Sequence, residues 1–211
     1  MMATKSAATT LCLLLALSLS GCEEKQERSK PSLLPALGGP EAIVLEAEAG
    51  KIEASMVVEP FAPRRHPDTG LQEAAGGQCV TIPKDANKAC KDDKTGRTKP
   101  KGSVVLTFRV PKDGTYYIHP RVWWTDGCSN SLAMSVDALP AILLTDGIYE
   151  NWHWFEFKSD DISAGELRAF KLKKGEHTIT FSNREDNVKL DQLYVTSDPD
   201  DRPADIMTPP E

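Results

Sequence analysis

Residues 175–196 read GEHTITFSNREDNVKLDQLYVT, and the fold turns on how this stretch is read. Two segments, 177–181 and 190–195, alternate apolar and polar residues. A charged loop holding Asp186 and Asn187 separates them, a pattern that predicts an antiparallel pair of strands. One residue breaks the alternation. Counting by twos back from Val195 gives Leu193 and then Asp191, so a carboxylate falls on the face that otherwise looks inward. Taking an unpaired carboxylate out of water costs several kcal/mol, so Asp191 calls for a hydrogen-bonded partner charge or a metal ion. Far upstream, IVLEAEA at 43–49 sets Glu46 and Glu48 two apart, on one face if the segment is a strand. If the first and last strands are neighbours, three carboxylates converge.

Outward from that stretch the short-strand pattern repeats. Strand-like runs fall at 78–83, 103–110, 115–124, 132–137, 141–144, 153–158 and 167–172, after a first one beginning at Ile43. Turns punctuate them at Pro111-Lys112-Asp113-Gly114, Thr145-Asp146-Gly147 and Lys173-Lys174-Gly175. Many short strands without a sustained helical period predict an all-β fold, an antiparallel β-sandwich or jelly roll, over residues 42–197. The chain has 211 residues, 40% of them hydrophobic, enough for one domain with a core of its own. Its net charge of −6 gives no support to nucleic-acid binding, which requires a basic face. The last stretch, 198–211, is rich in Asp and Pro and is expected to be a disordered tail.

The first 21 residues read as a targeting segment. Lys5 supplies positive charge, 11–19 is a short apolar run, and Leu19-Ser20-Gly21-Cys22 closes it with small residues before a cysteine. That ending resembles the bacterial lipobox, which implies cleavage before Cys22 and acylation of its sulfur and new amino group. An ordinary secretory signal is the alternative, and both readings export the protein. The apolar run falls short of the ~20 residues that span a bilayer. Residues 22–41, charged and then rich in Pro and Gly, read as a flexible tether. The expected location is the bacterial cell envelope, lipid-anchored through Cys22, with the outer membrane as destination. Of the other cysteines, Cys12 lies inside the signal, leaving Cys79, Cys90 and Cys128. Cys79 sits in a strand while Cys90 and Cys128 sit in loops. If the intervening strands simply reverse direction, both loops lie at one end, which favours a Cys90–Cys128 disulfide over Cys79–Cys90.

Six motifs in order carry a family resemblance: EAEAG at 46–50, GGQCVTIP at 76–83, GTYYIHPRVWW at 114–124, SNSLAMSVD at 129–137, NWHWFEF at 151–157 and the 175–196 stretch. Together they resemble family 6 and family 35 carbohydrate-binding modules, which are galactose-binding-like β-sandwiches. The resemblance implies a structural Ca²⁺ held by Glu46, Glu48 and Asp191, in keeping with calcium's preference for six to eight oxygen ligands. It also implies an oligo- or polysaccharide ligand, bound at a loop-lined edge cleft or on a sheet face, and a separate glycoside hydrolase as a partner. Trp152 and Trp154 share a side with Glu156, and Trp123 shares a side with Arg121 and His119, so these three rings are candidate sugar platforms. Trp124, on the side of Val122 and Ile118, reads as core, and Arg121 as a structural ion-pair partner. Asn130 and Asn187 are loop residues that only the resemblance promotes to sugar contacts.

Catalysis has little to stand on in this sequence. His66, His119, His153 and His177 show no metal spacing, no nucleophile elbow is present, and no pair of acids is singled out for glycoside hydrolysis. The expectation is a non-catalytic carbohydrate-binding module. The alternative is an envelope adhesion or structural module of the same fold that docks a protein partner.

Overall fold

The computed structural model describes residues 42–86, 102–157 and 167–208. Cys22 and Cys90, and with them the lipidation and disulfide expectations, lie outside these residues.

Two antiparallel sheets enclose the core. The first contains β1 (Ile43–Glu46), β3 (Val57–Pro60), β6 (Gln78–Thr81), β8 (Gly114–Trp123), β11 (Trp152–Trp154), β12 (Phe170–Leu172) and β14 (Lys189–Thr196). It runs in the order β11-β8-β14-β6-β3, with β1 also on β14 and β12 also on β8. The second contains β2 (Lys51–Glu53), β7 (Ser103–Val110), β9 (Ser131–Val136), β10 (Ile142–Thr145) and β13 (Gly175–Asn183), in the order β10-β9-β13-β7-β2. A separate hairpin is formed by β4 (Arg64–His66) and β5 (Gly70–Gln72). Between the sheets lie alternate residues of facing strands, among them Val104, Leu106 and Phe108 from β7, Ile118 and Val122 from β8, Ile179 and Phe181 from β13, and Leu193 and Val195 from β14. Trp124 is wholly buried there, as its side of the strand predicted.

The opening stretch requires a correction. Its two strands do not pair with each other: β13 pairs with β7 and β9, and β14 pairs with β1, β6 and β8. A period of two reports which face is buried and not which strand lies alongside, so two strands facing each other across a core read like a hairpin. The neighbouring of first and last strands holds, with Glu46 opposite Gln192.

A second correction follows from a β-bulge. Leu190 lies opposite Val122 and Leu193 opposite Pro120, so Asp191 and Gln192 together face the single residue Arg121. The extra residue shifts the alternation. Val188 and Leu190 join Leu193 and Val195 in the core, while Asp191 meets Arg121 on the outer side of the sheet.

That outer side is covered, which is why every residue of β14 is buried. The segment from Phe61 through the β4–β5 hairpin to Gly77 covers one part. Residues 198–208, expected to be disordered, cover another: Met207 N–H donates to Gln192 Oε1 at 3.0 Å, Trp154 Nε1–H to the Asp205 carbonyl at 2.8 Å, and the Tyr194 hydroxyl to Asp201 Oδ2 at 2.5 Å. Composition signals the tail's polarity but not its hydrogen-bonding groups on the sheet.

Candidate functional site

The acidic neighbourhood is built where β1 ends. Glu46 closes the strand and Glu48 sits in a one-turn 3-10 helix, Ala47–Ala49. Gly50 then lets the chain leave against β7, since a Cβ there would stand 2.6 Å from Val104 Cγ2. Glu46 Oε1 accepts from Gln192 Nε2 at 2.8 Å, while Glu46 Oε2 and Glu48 Oε2 are buried and have no hydrogen-bond partner among the described residues. Burial pushes Glu48 above the ordinary carboxylate range. Its own backbone N–H opposes this and the charge of Glu46 adds to it.

Asp191, expected as the third calcium ligand, has other partners. Its Oδ1 accepts from Ala75 N–H at 2.9 Å and its Oδ2 from the guanidinium of Arg121, which also donates to the Glu73 carbonyl at 3.0 Å. Burial raises the Asp191 pKa to about 7 against the pull of Arg121 and the Ala75 N–H, with Glu46 adding to the rise. Among the described residues no three His, Cys, Asp or Glu side chains form a group able to hold a metal ion. The expected three-carboxylate cage is therefore replaced by an Arg121–Asp191 ion pair beside two carboxylates, Glu46 and Glu48. The hard, unpartnered oxygens of those two suit a calcium ion chemically.

The predicted tryptophan platforms divide. Trp123 and Trp152 do lie on the outer side of the sheet, yet they are only 2% and 6% exposed. They pack edge-to-face with Phe61 in a second small core, ring centroids 5.1–5.7 Å apart, and Arg121 lies 5.2 Å from the Trp152 ring. Strand parity placed both rings correctly. The covering segment that buries them comes from distant residues 61–77. Trp154 is half-buried, its indole N–H on the tail and its ring 6.1 Å from Tyr194. It lines a cleft of about 630 Å³ with Asp146, Ile148, His153 and Glu156.

Asn130 braces a loop: its Nδ2 donates to the Asp146 carbonyl at 2.9 Å and its N–H to Glu185 Oε2 at 3.0 Å. Asn187 is placed differently. It holds a left-handed backbone, φ +59°, with its N–H on the Ile82 carbonyl at 2.7 Å and its carbonyl accepting from Thr125 Oγ1 at 2.7 Å. Its half-buried side-chain amide has no hydrogen bond within the described residues. Next to Thr125, Trp124 bridges to Tyr149, and Glu150, φ +53°, donates its N–H to the Trp124 carbonyl at 2.8 Å. Asp85, φ +66°, is tied to Asp186 beside Asn187. Three non-glycine residues in left-handed conformation thus gather at one end of the sandwich, each strained by about 1–3 kcal/mol. Tyr149 is 41% exposed there, next to Gly127. The sequence reading missed this ring. An aromatic set between Gly147 and the polar pair Glu150-Asn151, outside any alternating run, is the signal that marks it.

Two His–Asp pairs have the composition of proton-transfer dyads but not the geometry. His153 contacts Asp146 Oδ2 at 2.9 Å and the Asn151 carbonyl at 3.1 Å, and His177 contacts Asp137 Oδ2 at 2.7 Å and the Lys173 carbonyl at 2.7 Å. Both nitrogens of each ring are occupied, so neither is placed to take a proton from a nucleophile.

No protein-family model and no curated protein matches the chain. Among solved structures, it is similar to an exo-β-1,3-galactanase from Phanerochaete chrysosporium, at 17% identity and a TM-score of 0.49 over 73% of this chain. It is also similar to a Podospora anserina β-(1,4)-mannanase carrying a family 35 carbohydrate-binding module, at 15% identity and a TM-score of 0.48 over 80% of this chain. The match covers 29% and 30% of those enzymes. A family 35 carbohydrate-binding module from Clostridium thermocellum is similar at 16% identity and a TM-score of 0.44, over 72% of this chain and 97% of that one. Likeness at this level carries no argument about what the chain binds. The sandwich itself is established by its own strand pairing.

Proposed function

We propose that this chain is a non-catalytic carbohydrate-binding module, with its glycan site at the end of the sandwich where Tyr149 and Asn187 flank residues 124–127. The observation that carries the reading is the exposed Tyr149 ring on the loop bridged to Trp124, with Asn187, whose side-chain amide has no hydrogen bond among the described residues, held on the adjacent Thr125. A sugar needs a flat apolar surface for its C–H face and a few fixed polar groups for its hydroxyls. Tyr149 offers the first and Asn187 the second, and left-handed strain is characteristic of positions held for function. The ordered motifs that resemble family 6 and 35 modules point to the same class of ligand. A glycan array with the purified chain tests it: binding to a defined set of glycans is expected, and no binding to any glycan overturns it.

Two further parts of the proposal rest on separate residues. Calcium, held by Glu46 and Glu48 with backbone carbonyls, would neutralise the two buried oxygens that have no donor among the described residues. Acylation at Cys22 would anchor the chain to a bacterial envelope membrane, leaving a separate glycoside hydrolase to act on the glycan it holds. Fatty-acid labelling of the wild type and of Cys22→Ala tests the anchor, since equal labelling of the two contradicts it. The protein-docking alternative draws on Leu143 and Ile148, exposed along the rim of the 630 Å³ cleft.

A further inference from the structure

One surface runs against the acidic balance of the chain. The β4–β5 hairpin opens with Arg64 and Arg65, both exposed, and neither has a carboxylate within ion-pair distance among the described residues. The guanidinium carbon of Arg64 lies 5.9 Å from the ring centroid of Phe61 and 5.8 Å from that of Trp123. The planar group is therefore held on aromatic faces, with less side-chain freedom to lose when it binds. His66 Nδ1 accepts from the N–H groups of Asp68 and Thr69 at 3.2 and 3.3 Å, so in the neutral ring the proton sits on Nε2, a further donor. Arg64, Arg65, His66 and Gln72 line a cleft of about 130 Å³ together with Pro67, Trp123 and one acid, Glu150. The hairpin's own acids, Asp68 and Glu73, are not part of that lining.

The hairpin is fastened to the loop that carries Tyr149. Thr69 Oγ1 donates to Asn151 Oδ1 at 3.2 Å, and Gln72 Oε1 accepts from Trp152 N–H at 2.9 Å. Glu150 belongs to both places, lining the cleft and sitting next to Tyr149. A cleft this small accommodates a substituent or a single ring of a longer ligand and not an oligosaccharide. Two guanidinium groups against one carboxylate leave a local positive balance, and the arginine fork matches a planar or tetrahedral oxyanion. The single acid is suited to accept a bond from a ligand hydroxyl.

We propose that the β4–β5 hairpin is an oxyanion site that makes this chain select glycans bearing carboxylate or sulfate groups. The inference rests on the reading of Tyr149 and Asn187 as a glycan site. It is tested with the full chain in detergent, by affinity electrophoresis in matched gels: polygalacturonate against its methyl ester, and dextran sulfate against dextran. The members of each pair differ in charge on a shared backbone, and the two pairs distinguish carboxylate from sulfate. At least one charged polymer is expected to bind tenfold or more tightly than its neutral partner, with the preference falling as NaCl rises from 50 to 200 mM. Arg64→Gln/Arg65→Gln should abolish the preference and leave binding to the neutral partner unchanged. Arg65→Gln alone, which keeps the Arg64 contact with Phe61 and Trp123, should reduce it without affecting folding. Equal retardation by charged and neutral partners, or an undiminished preference in the folded double variant, overturns the oxyanion site and leaves the glycan reading standing. Failure to bind any of the four polymers overturns the oxyanion site, and if the glycan array is also blank the reading beneath it falls too.

Discussion

Asp191 carries a negative charge to a place closed to water, and Arg121 answers it from the facing strand with a side chain only 7% exposed. Removing one member of a buried ion pair leaves the other uncompensated, which costs about 3–5 kcal/mol. Arg121→Met should therefore destabilise the chain by about that much in urea unfolding. Arg121→Met/Asp191→Asn should recover most of the loss, because the charge left behind is gone while the Ala75 N–H keeps an acceptor. A double variant no more stable than Arg121→Met contradicts the pairing. His119 makes a different residue-scale argument. Burial first, and then the charge of Arg202, lower its pKa from 6.5 to about 4, and neither ring nitrogen has a hydrogen-bond partner among the described residues. The folded state holds the neutral ring, so the unfolded chain binds the extra proton between those values. The stability this contributes is full above about pH 6.5 and is lost as pH falls towards about 4. The melting temperature should fall over that window, and His119→Phe should flatten the fall. An unchanged pH profile in the folded variant would show that another group is responsible.

At the scale of the element, residues 198–208 act as a strap across the first sheet, on Gln192, Trp154 and Tyr194. Deleting 198–211 should lower the melting temperature and shift tryptophan fluorescence to the red as Trp154 gains water. An unaltered spectrum and melting point would show that the strap adds nothing. The strap also marks where the sequence stopped being legible. Strands such as β7, whose bounds Ser103–Val110 match the expected 103–110, are written in local alternation and were readable. Which sheet β13 and β14 enter, the extra residue that turns Asp191 outward, and the cover over Trp123 and Trp152 depend on partners far along the chain. For the same reason the site reading was uneven. Asp191 is legible as a buried charge needing a partner, with Arg121 as the alternative to calcium, and it is the alternative that the structure pairs with it. Tyr149, whose exposure is set by its loop, was passed over.

At the scale of the whole molecule, the sandwich is a rigid frame with two separable devices: an acidic corner at Glu46 and Glu48, and a strained rim at Tyr149 and Asn187. An ion bound only by the folded state stabilises it by about 2.7 kcal/mol at a hundredfold excess over Kd. Chelator should then lower the melting temperature, calcium should restore it, and Glu48→Gln should blunt the response. Because Asp191 is committed to Arg121, Asp191→Asn should leave that response in place. A chelator-insensitive melting point would remove calcium from the account. The measurement that bears most directly on the central claim is calorimetric titration of the best array glycan into the wild type, Tyr149→Ala, Asn187→Ala and Trp152→Phe. Tyr149→Ala should lose about 1–3 kcal/mol, in line with removal of a buried aromatic contact. Asn187→Ala should lose about 0.5–1.5 kcal/mol from one directional bond. Trp152→Phe, confined to the covered cluster, should bind as the wild type does. Undiminished affinity in Tyr149→Ala and Asn187→Ala would contradict the placement of the glycan site at this end of the sandwich.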